Sequence, residues 1–181
     1  MLLVVAATER ELASIRGVDT FVCGVGPVDA AIATSGRLAV GDVTAVLHVG
    51  IAGALTLEPL TLVLGSEAVY CDVIDPGSTF PRSERVAPDA ALLAAASAAL
   101  PEAHVEPIAT TGRVGGGTAC GVEAMEGFGV LRAASLAGVP AVELRAISNA
   151  VGEPDRARWR VDDAIALLGD AVARLAPQLS Y

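Results

Sequence analysis

Glu11 stands three residues after Thr8, a spacing that admits two chemistries. As Thr8-x-x-Glu11 it is a capping box, with the Glu11 carboxylate reaching back to the Thr8 amide at a helix start. As a carboxylate just past a strand end, it can act as a general base that takes a proton from water. The two uses are compatible, because a carboxylate can cap in one state and act in another. Glu126 lies among Ala124, Met125, Gly127 and Phe128. In the first turn of a helix it would favour the helix dipole by about 0.3–1 kcal/mol. Glu123 already offers that charge one turn earlier, and a carboxylate among apolar neighbours needs a partner. Glu143 and Arg145 alternate with Val142, Leu144 and Ala146. They share one face of a strand, where an ion pair is the plain structural reading. Asn149 carries an amide that both donates and accepts; its plain reading is a chain turn after that strand.

The remaining inventory excludes whole classes. All twelve basic residues are Arg, which removes Schiff-base chemistry and a P-loop lysine. His48, inside Val46-Leu47-His48-Val49, reads as a core histidine. With His104 it is too isolated for a metal site or a histidine-based triad. Cys23, Cys71 and Cys120 are far apart and odd in number. They read as reduced, mostly buried thiols with no zinc-type pair. No metal or organic cofactor is implied. The net charge of -9 repels phosphate backbones, so nucleic acid is not an expected partner. No apolar run approaches the roughly 20 residues of a membrane span. The apolar start, Met1 to Ala7, has no basic flank and runs into Thr8-Glu9-Arg10-Glu11. It reads as a first strand rather than a signal peptide, which makes the cytoplasm the expected location. Gly24-Val25-Gly26 is a poor dinucleotide fingerprint, because Pro27 interrupts the turn and Asp29 takes the third glycine position.

The elements that must position these groups follow from composition and periodicity. The chain has 181 residues, 53% hydrophobic and only 3% aromatic. That predicts one domain over residues 1–181, with a core of Ala, Val, Leu and Ile. Strand-like runs at 2–7, 20–23, 43–49, 62–73, 105–110 and 141–148 alternate with helical patterns. The helices are expected over 8 to about 15, 27–39, 88–100, 123–137 and 162–175. Gly138 and Pro140 would close the fourth helix, and Asp162 is a candidate N-cap for the last. Residues 112–121 read as a mobile glycine-rich loop. The alternation predicts an α/β fold whose sheet binds ligands beyond the C-terminal ends of its strands. Residues 7–11, 23–27, 50–54, 110–117 and 148–152 fall at those ends.

Taken in order, these end segments resemble the nucleoside phosphorylase and nucleosidase superfamily. Ala7-Thr8-Glu9-Arg10-Glu11 is similar to the acidic turn after the first strand of methylthioadenosine/S-adenosylhomocysteine nucleosidases. Gly24-Val25-Gly26-Pro27-Val28-Asp29-Ala30-Ala31 resembles their glycine turn before an Ala-rich helix. Gly50-Ile51-Ala52-Gly53 resembles their Gly-Ser-Ala-Gly loop, and Met125-Glu126 their ribose-contacting Met-Glu pair. Arg145-Ala146-Ile147-Ser148-Asn149 matches their Arg-Ala-Ile-Ser-Asp motif except at its last residue. Within the superfamily the futalosine hydrolases are most similar, through Met125-Glu126-Gly127, Ile147-Ser148-Asn149 and Asp155-Arg156-Ala157-Arg158-Trp159.

The resemblance implies a three-layer nucleoside phosphorylase-like fold, with a central mostly parallel or mixed β-sheet flanked by helices. It implies a purine N-glycosidase with Glu11, Glu126 and Asn149 as catalytic residues. Thr8, Ile51, Ala52, Gly53, Met125, Arg145, Ser148 and Trp159 would bind substrate. Glu126 would hold the ribose hydroxyls, stabilising the positive charge that develops on the sugar. Arg145 would border the ribose and the attacking water. Asn149, where adenine nucleosidases carry Asp, would suit a 6-oxopurine through its donor and acceptor. Arg156, Arg158 and Trp159 would meet the 5′ substituent, with Arg82 and Arg113 as rivals. A phosphate-binding arginine is not expected in a first loop holding Glu9 and Glu11, which favours hydrolysis over phosphorolysis. Adenine-type nucleosidase activity, 6-oxopurine phosphorolysis and a non-catalytic nucleoside binder are the alternatives. Homo-oligomers are the rule among such relatives.

Overall fold

The structure, a computed structural model, describes residues 1–73, 77, 79, 84–115 and 118–179. Among the described residues, eight strands and five α-helices run in order as β1 (Leu2–Ala6), α1 (Glu9–Leu12), β2 (Asp19–Val22), α2 (Pro27–Leu38) and β3 (Ala45–Ala54). There follow β4 (Leu62–Tyr70), β5 (Arg85–Val86), α3 (Ala90–Ala99), β6 (His104–Thr110), β7 (Val122–Ala124) and α4 (Gly127–Ala137). The chain ends with β8 (Ala141–Ala150), a short 3-10 turn at Arg156–Arg158 and α5 (Val161–Leu179).

Alternation along β1 explains the layering. Leu2, Val4 and Ala6 pack with residues of α1, α3 and α5, while Leu3 and Val5 join a cluster with α2 and α4. A strand sends successive side chains to opposite faces, so a strand apolar at every position needs helices on both sides. The sheet is mixed. β1 is parallel to β2 and β3, and β3 is parallel to β8, whereas β4 runs antiparallel to β8 and β5. β3, β8, β4, β6 and β7 each pair with the next and β7 returns to β3, closing a ring. Ala52, Val63, Ile108, Val122 and Ile147, drawn from every strand of that ring, form a buried cluster of their own.

The structure corrects several expected boundaries. The helix expected from residue 123 begins only at Gly127, because Val122–Ala124 is strand β7. Local helical pattern loses there to pairing with β6 and β3, which buries Val122 and Ala124 in the ring. Residues 50–54 are strand rather than loop, flanked by β8 and β7. The first helix has four residues, not eight, and the Ile15 amide returns to the Leu12 carbonyl. Asp162 lies inside the first turn of α5 instead of capping it, paired with Arg10 at 2.7 Å. Asp89 caps α3, accepting the Ala91 and Leu92 amides at 3.0 Å. Gly138, with φ of 69°, closes α4 in the left-handed region.

Candidate active site

Beyond the ends of β1, β3 and β8 lies a cavity of about 640 Å³, within the range of small-molecule sites. Thr8, Glu11, Ile51, Ala52, Gly53, Met125, Glu126, Ser148, Asn149 and Trp159 all line it. Arg145, also expected to bind substrate, does not line it. It is fully buried and reaches the site through Glu126.

Glu11 is placed by its cap and by the neighbouring strand together. The capping box forms: the Thr8 amide and hydroxyl donate to Oε2 at 3.1 and 2.9 Å, and the Glu11 amide donates to the Thr8 hydroxyl. The Ile51 amide on β3 donates to Oε1 at 3.1 Å. These are donors that a carboxylate, an acceptor-only group, can take.

Glu126 is the N-cap residue of α4 but makes no capping hydrogen bond. Its Oε1 instead accepts the Gly26 amide at 3.1 Å, tying it to the glycine turn before α2. Burial pushes its carboxyl above the ordinary range, with Glu11 and Glu143 adding to the shift and Arg145 and the Gly26 amide opposing it. Burial also raises the Glu143 carboxyl, against the pull of Arg145.

Arg145 and Glu143 form the ion pair their spacing suggests, Nε to Oε1 at 2.8 Å. Arg145 Nη1 lies 3.7 Å from Glu126 Oε2. Burial works against the guanidinium charge, but Glu143, Glu126 and Glu11 hold it above its usual value. Gly50 makes room for this arrangement. A Cβ there would overlap Arg145 Nη1 and lie 2.8 Å from Glu11 Oε1.

Asn149 is aimed by a β-bulge. Ala52 pairs with Ile147 and Gly53 with Asn149, so Ser148 is the extra residue on β8. Strict alternation would send Ser148 and Asn149 to opposite faces; the bulge lets both line the cavity. Ser148 Oγ donates to Asn149 Oδ1 at 2.7 Å, and Nδ2 donates to the Ala150 carbonyl at 2.9 Å. Each amide atom keeps one further hydrogen-bonding capacity.

Toward the 3-10 turn the cavity is lined by Trp159, Arg156 and Arg113. Arg156 stacks over the Trp159 ring at 4.0 Å, and Trp159 Nε1 donates to the Glu153 carbonyl. Arg158 pairs with Glu153 at 3.1 Å and does not line the cavity. Arg82 lies outside the described residues, as do Gly116 and Gly117 of the glycine-rich loop.

Sequence reasoning missed two participants. Glu123, read as a helix-dipole acid, lines the cavity from β7 and accepts the Thr118 amide at 2.7 Å. His48, read as a core histidine, is buried as expected but touches Arg145, Nε2 to Nη2 at 2.5 Å. Strand register opposite Glu143 would have been the signal. Among the described residues no His, Cys, Asp or Glu group of three or more is placed to hold a metal ion. No helix among them is long and apolar enough to cross a membrane.

Comparison with known proteins supplies the family. The profile of the Phosphorylase superfamily matches residues 16–179. The chain belongs to that superfamily. A stretch of 57 residues, 32% of this chain, is 63% identical to a futalosine hydrolase of Streptomyces coelicolor and covers 24% of it. Another of 54 residues is 46% identical to a futalosine hydrolase of Thermus thermophilus, covering 30% of this chain and 24% of that protein. The matched stretches thus span about a quarter of each of these relatives. A futalosine hydrolase mutant of Helicobacter pylori superposes with a TM-score of 0.88 at 19% identity, covering 98% of this chain and 99% of that one. At that identity the likeness is one of fold. The mixed sheet flanked by helices is thus the fold of that superfamily.

Proposed function

We propose that this phosphorylase-superfamily chain is a futalosine hydrolase. It cleaves the N-glycosidic bond of futalosine with water, releasing hypoxanthine and dehypoxanthinyl futalosine in menaquinone biosynthesis. The observation that carries the reading is one cavity lined by Glu11, Glu126 and Asn149. The strong local identity to futalosine hydrolases supports the choice of substrate.

In this reading Glu11 takes a proton from water as the water oxygen attacks the anomeric carbon of the ribose. The carbon–nitrogen bond breaks and its electrons pass to the purine. Glu126 binds the ribose hydroxyls and stabilises the charge on the sugar, an interaction stronger in the transition state than in the ground state. Met125 packs against the sugar. Asn149 Nδ2 donates to the 6-oxo group, and Oδ1 accepts from N7 once that nitrogen takes a proton from solvent. Thr8, Ile51, Ala52, Gly53 and Ser148 shape the pocket. Trp159 with Arg156, or Arg113, meets the 5′ substituent, whose carboxylate suits an arginine. Arg145 acts from behind, through Glu126.

Water rather than phosphate is favoured by the first loop. Arg10, its basic residue, lines the cavity but is paired with Asp162, and the Glu11 carboxylate lines the cavity beside it. The reading includes one domain over residues 1–181, a cytoplasmic location and a homo-oligomer. Val28 and Ile32 on α2 and Leu136 on α4 are exposed apolar side chains that an assembly would cover.

The test is base release from futalosine, inosine and methylthioadenosine, each with and without phosphate. Hypoxanthine released from futalosine without phosphate is the expected result. Release from inosine that requires phosphate would make the chain a phosphorylase. Adenine released from methylthioadenosine alone would make it an adenine nucleosidase.

A further inference from the structure

We infer that His48 is a positioning residue for this site: a neutral imidazole that holds one arm of Arg145 and so aims the other at Glu126. The inference rests on the nucleosidase reading for its effect on turnover, but its structural content can be measured without any substrate.

Two neighbours decide the state of the ring. His48 Nδ1 lies 3.0 Å from the Val5 carbonyl on β1. A carbonyl only accepts, so Nδ1 carries the proton. Nε2 faces Arg145 Nη2 at 2.5 Å. A guanidinium nitrogen only donates, so Nε2 presents its lone pair. The ring is therefore neutral and in a single tautomer. Its place agrees: His48 is fully buried, and burial together with the Arg145 charge disfavours an imidazolium.

The same contacts fix the guanidinium. Arg145 Nε donates to Glu143 Oε1 at 2.8 Å, and Nη2 is taken by His48. Two anchored nitrogens set the plane of a rigid fork. The third, Nη1, is buried with no hydrogen-bond partner in the structure and lies 3.7 Å from Glu126 Oε2. Glu143 Oε2 is also buried without a partner. That free oxygen is the competitor: Nε and Nη2 are the pair of nitrogens that fork onto one carboxylate side-on. Swinging Nη2 onto Glu143 Oε2 would turn the fork off His48 Nε2, so the His48 contact opposes that closure and keeps Nη1 toward Glu126. A misplacement of about 1 Å in such a group costs on the order of 10²-fold in rate.

The experiment compares His48→Leu with His48→Gln, alongside nitrogen-detected NMR of the His48 ring in the wild-type chain. Gln can accept from Arg145 and donate to Val5; Leu can do neither. His48→Leu is expected to lose about a hundredfold in kcat with KM within about twofold, and His48→Gln to recover most of it. A folded His48→Leu with unchanged kcat, or equal losses in both variants, overturns the inference. Should His48→Leu not fold, the NMR spectrum decides. A neutral ring protonated at Nδ1 from pH 5 to 8 is expected; a proton on Nε2, or titration in that range, overturns it. Wild-type protein that releases no base from any nucleoside refutes the nucleosidase reading, while the NMR result stands separately.

Discussion

Glu11 and Thr8 are joined three ways, by the Thr8 amide and hydroxyl on Glu11 Oε2 and by the Glu11 amide on the Thr8 hydroxyl. The cap leaves Oε1 to the Ile51 amide and holds the carboxylate in the cavity wall. The capping geometry thus sets where the carboxylate meets the cavity. Glu11→Gln is expected to lower kcat by about 10²–10⁴-fold, with nucleoside binding retained in calorimetry. Near-normal turnover would remove Glu11 from the mechanism.

Asn149 faces the Ala150 carbonyl with Nδ2 at 2.9 Å. In Asn149→Asp an oxygen takes that place, and it meets the carbonyl without repulsion only when protonated. Such a carboxylic acid can donate to a purine nitrogen and accept from a 6-amino group. The ratio of kcat/KM for methylthioadenosine over futalosine is therefore expected to rise. An unchanged ratio would sink the assignment of base recognition to Asn149.

Gly50 is the one residue type that fits between Arg145 Nη1 and Glu11 Oε1. Overpacking of this kind costs about 1–3 kcal/mol. Gly50→Ala is expected to lower the urea midpoint by a corresponding amount and to depress kcat, since Glu11 lines the cavity and Arg145 supports Glu126 from behind it. Wild-type values for both would show that the neighbours yield freely.

Glu126 predicts a pH effect of definite sign. Its carboxyl is raised, chiefly by burial, so the folded state binds its proton more tightly than the unfolded state. The stability this contributes is present at low pH and is lost as pH rises through the raised value. Gln at this position never ionises. The Tm difference, Glu126→Gln minus wild type, should become more positive from pH 4 to pH 8, and kcat should fall with loss of the proposed ribose contact. A Tm difference that does not move with pH would contradict the burial of an ionising group here.

Cys23 is pushed up to about 12 by burial and by Glu126, and Cys71 to about 11 by burial and by Cys120 beside it. The thiolate is the reactive form. Iodoacetamide at pH 8 should leave Cys23 unmodified in the native chain and label it after denaturation, read by mass spectrometry. Rapid native labelling of Cys23 would overturn this.

Several features could be read directly from residue order. The apolar run of β1, the proline-led start of α2 and the Gly138 stop of α4 are local signals, each set by sterics within a few residues. The Thr8-x-x-Glu11 cap and the Glu143–Arg145 pair are likewise fixed by short spacing on one element. What tertiary structure alone decided depends on partners distant in sequence. Val122–Ala124 is a strand because β6 and β3 offer backbone partners on both sides, which local pattern cannot reveal. Ser148 and Asn149 share the cavity because a bulge against β3 breaks the two-residue alternation. Arg145 turns from a substrate-lining residue into a buried support because strand register sets Gly50 beside it and His48 beside Glu143. His48 is silent in sequence for the same reason: a ring nitrogen acquires a role only from the group that faces it, and that group lies 97 residues away.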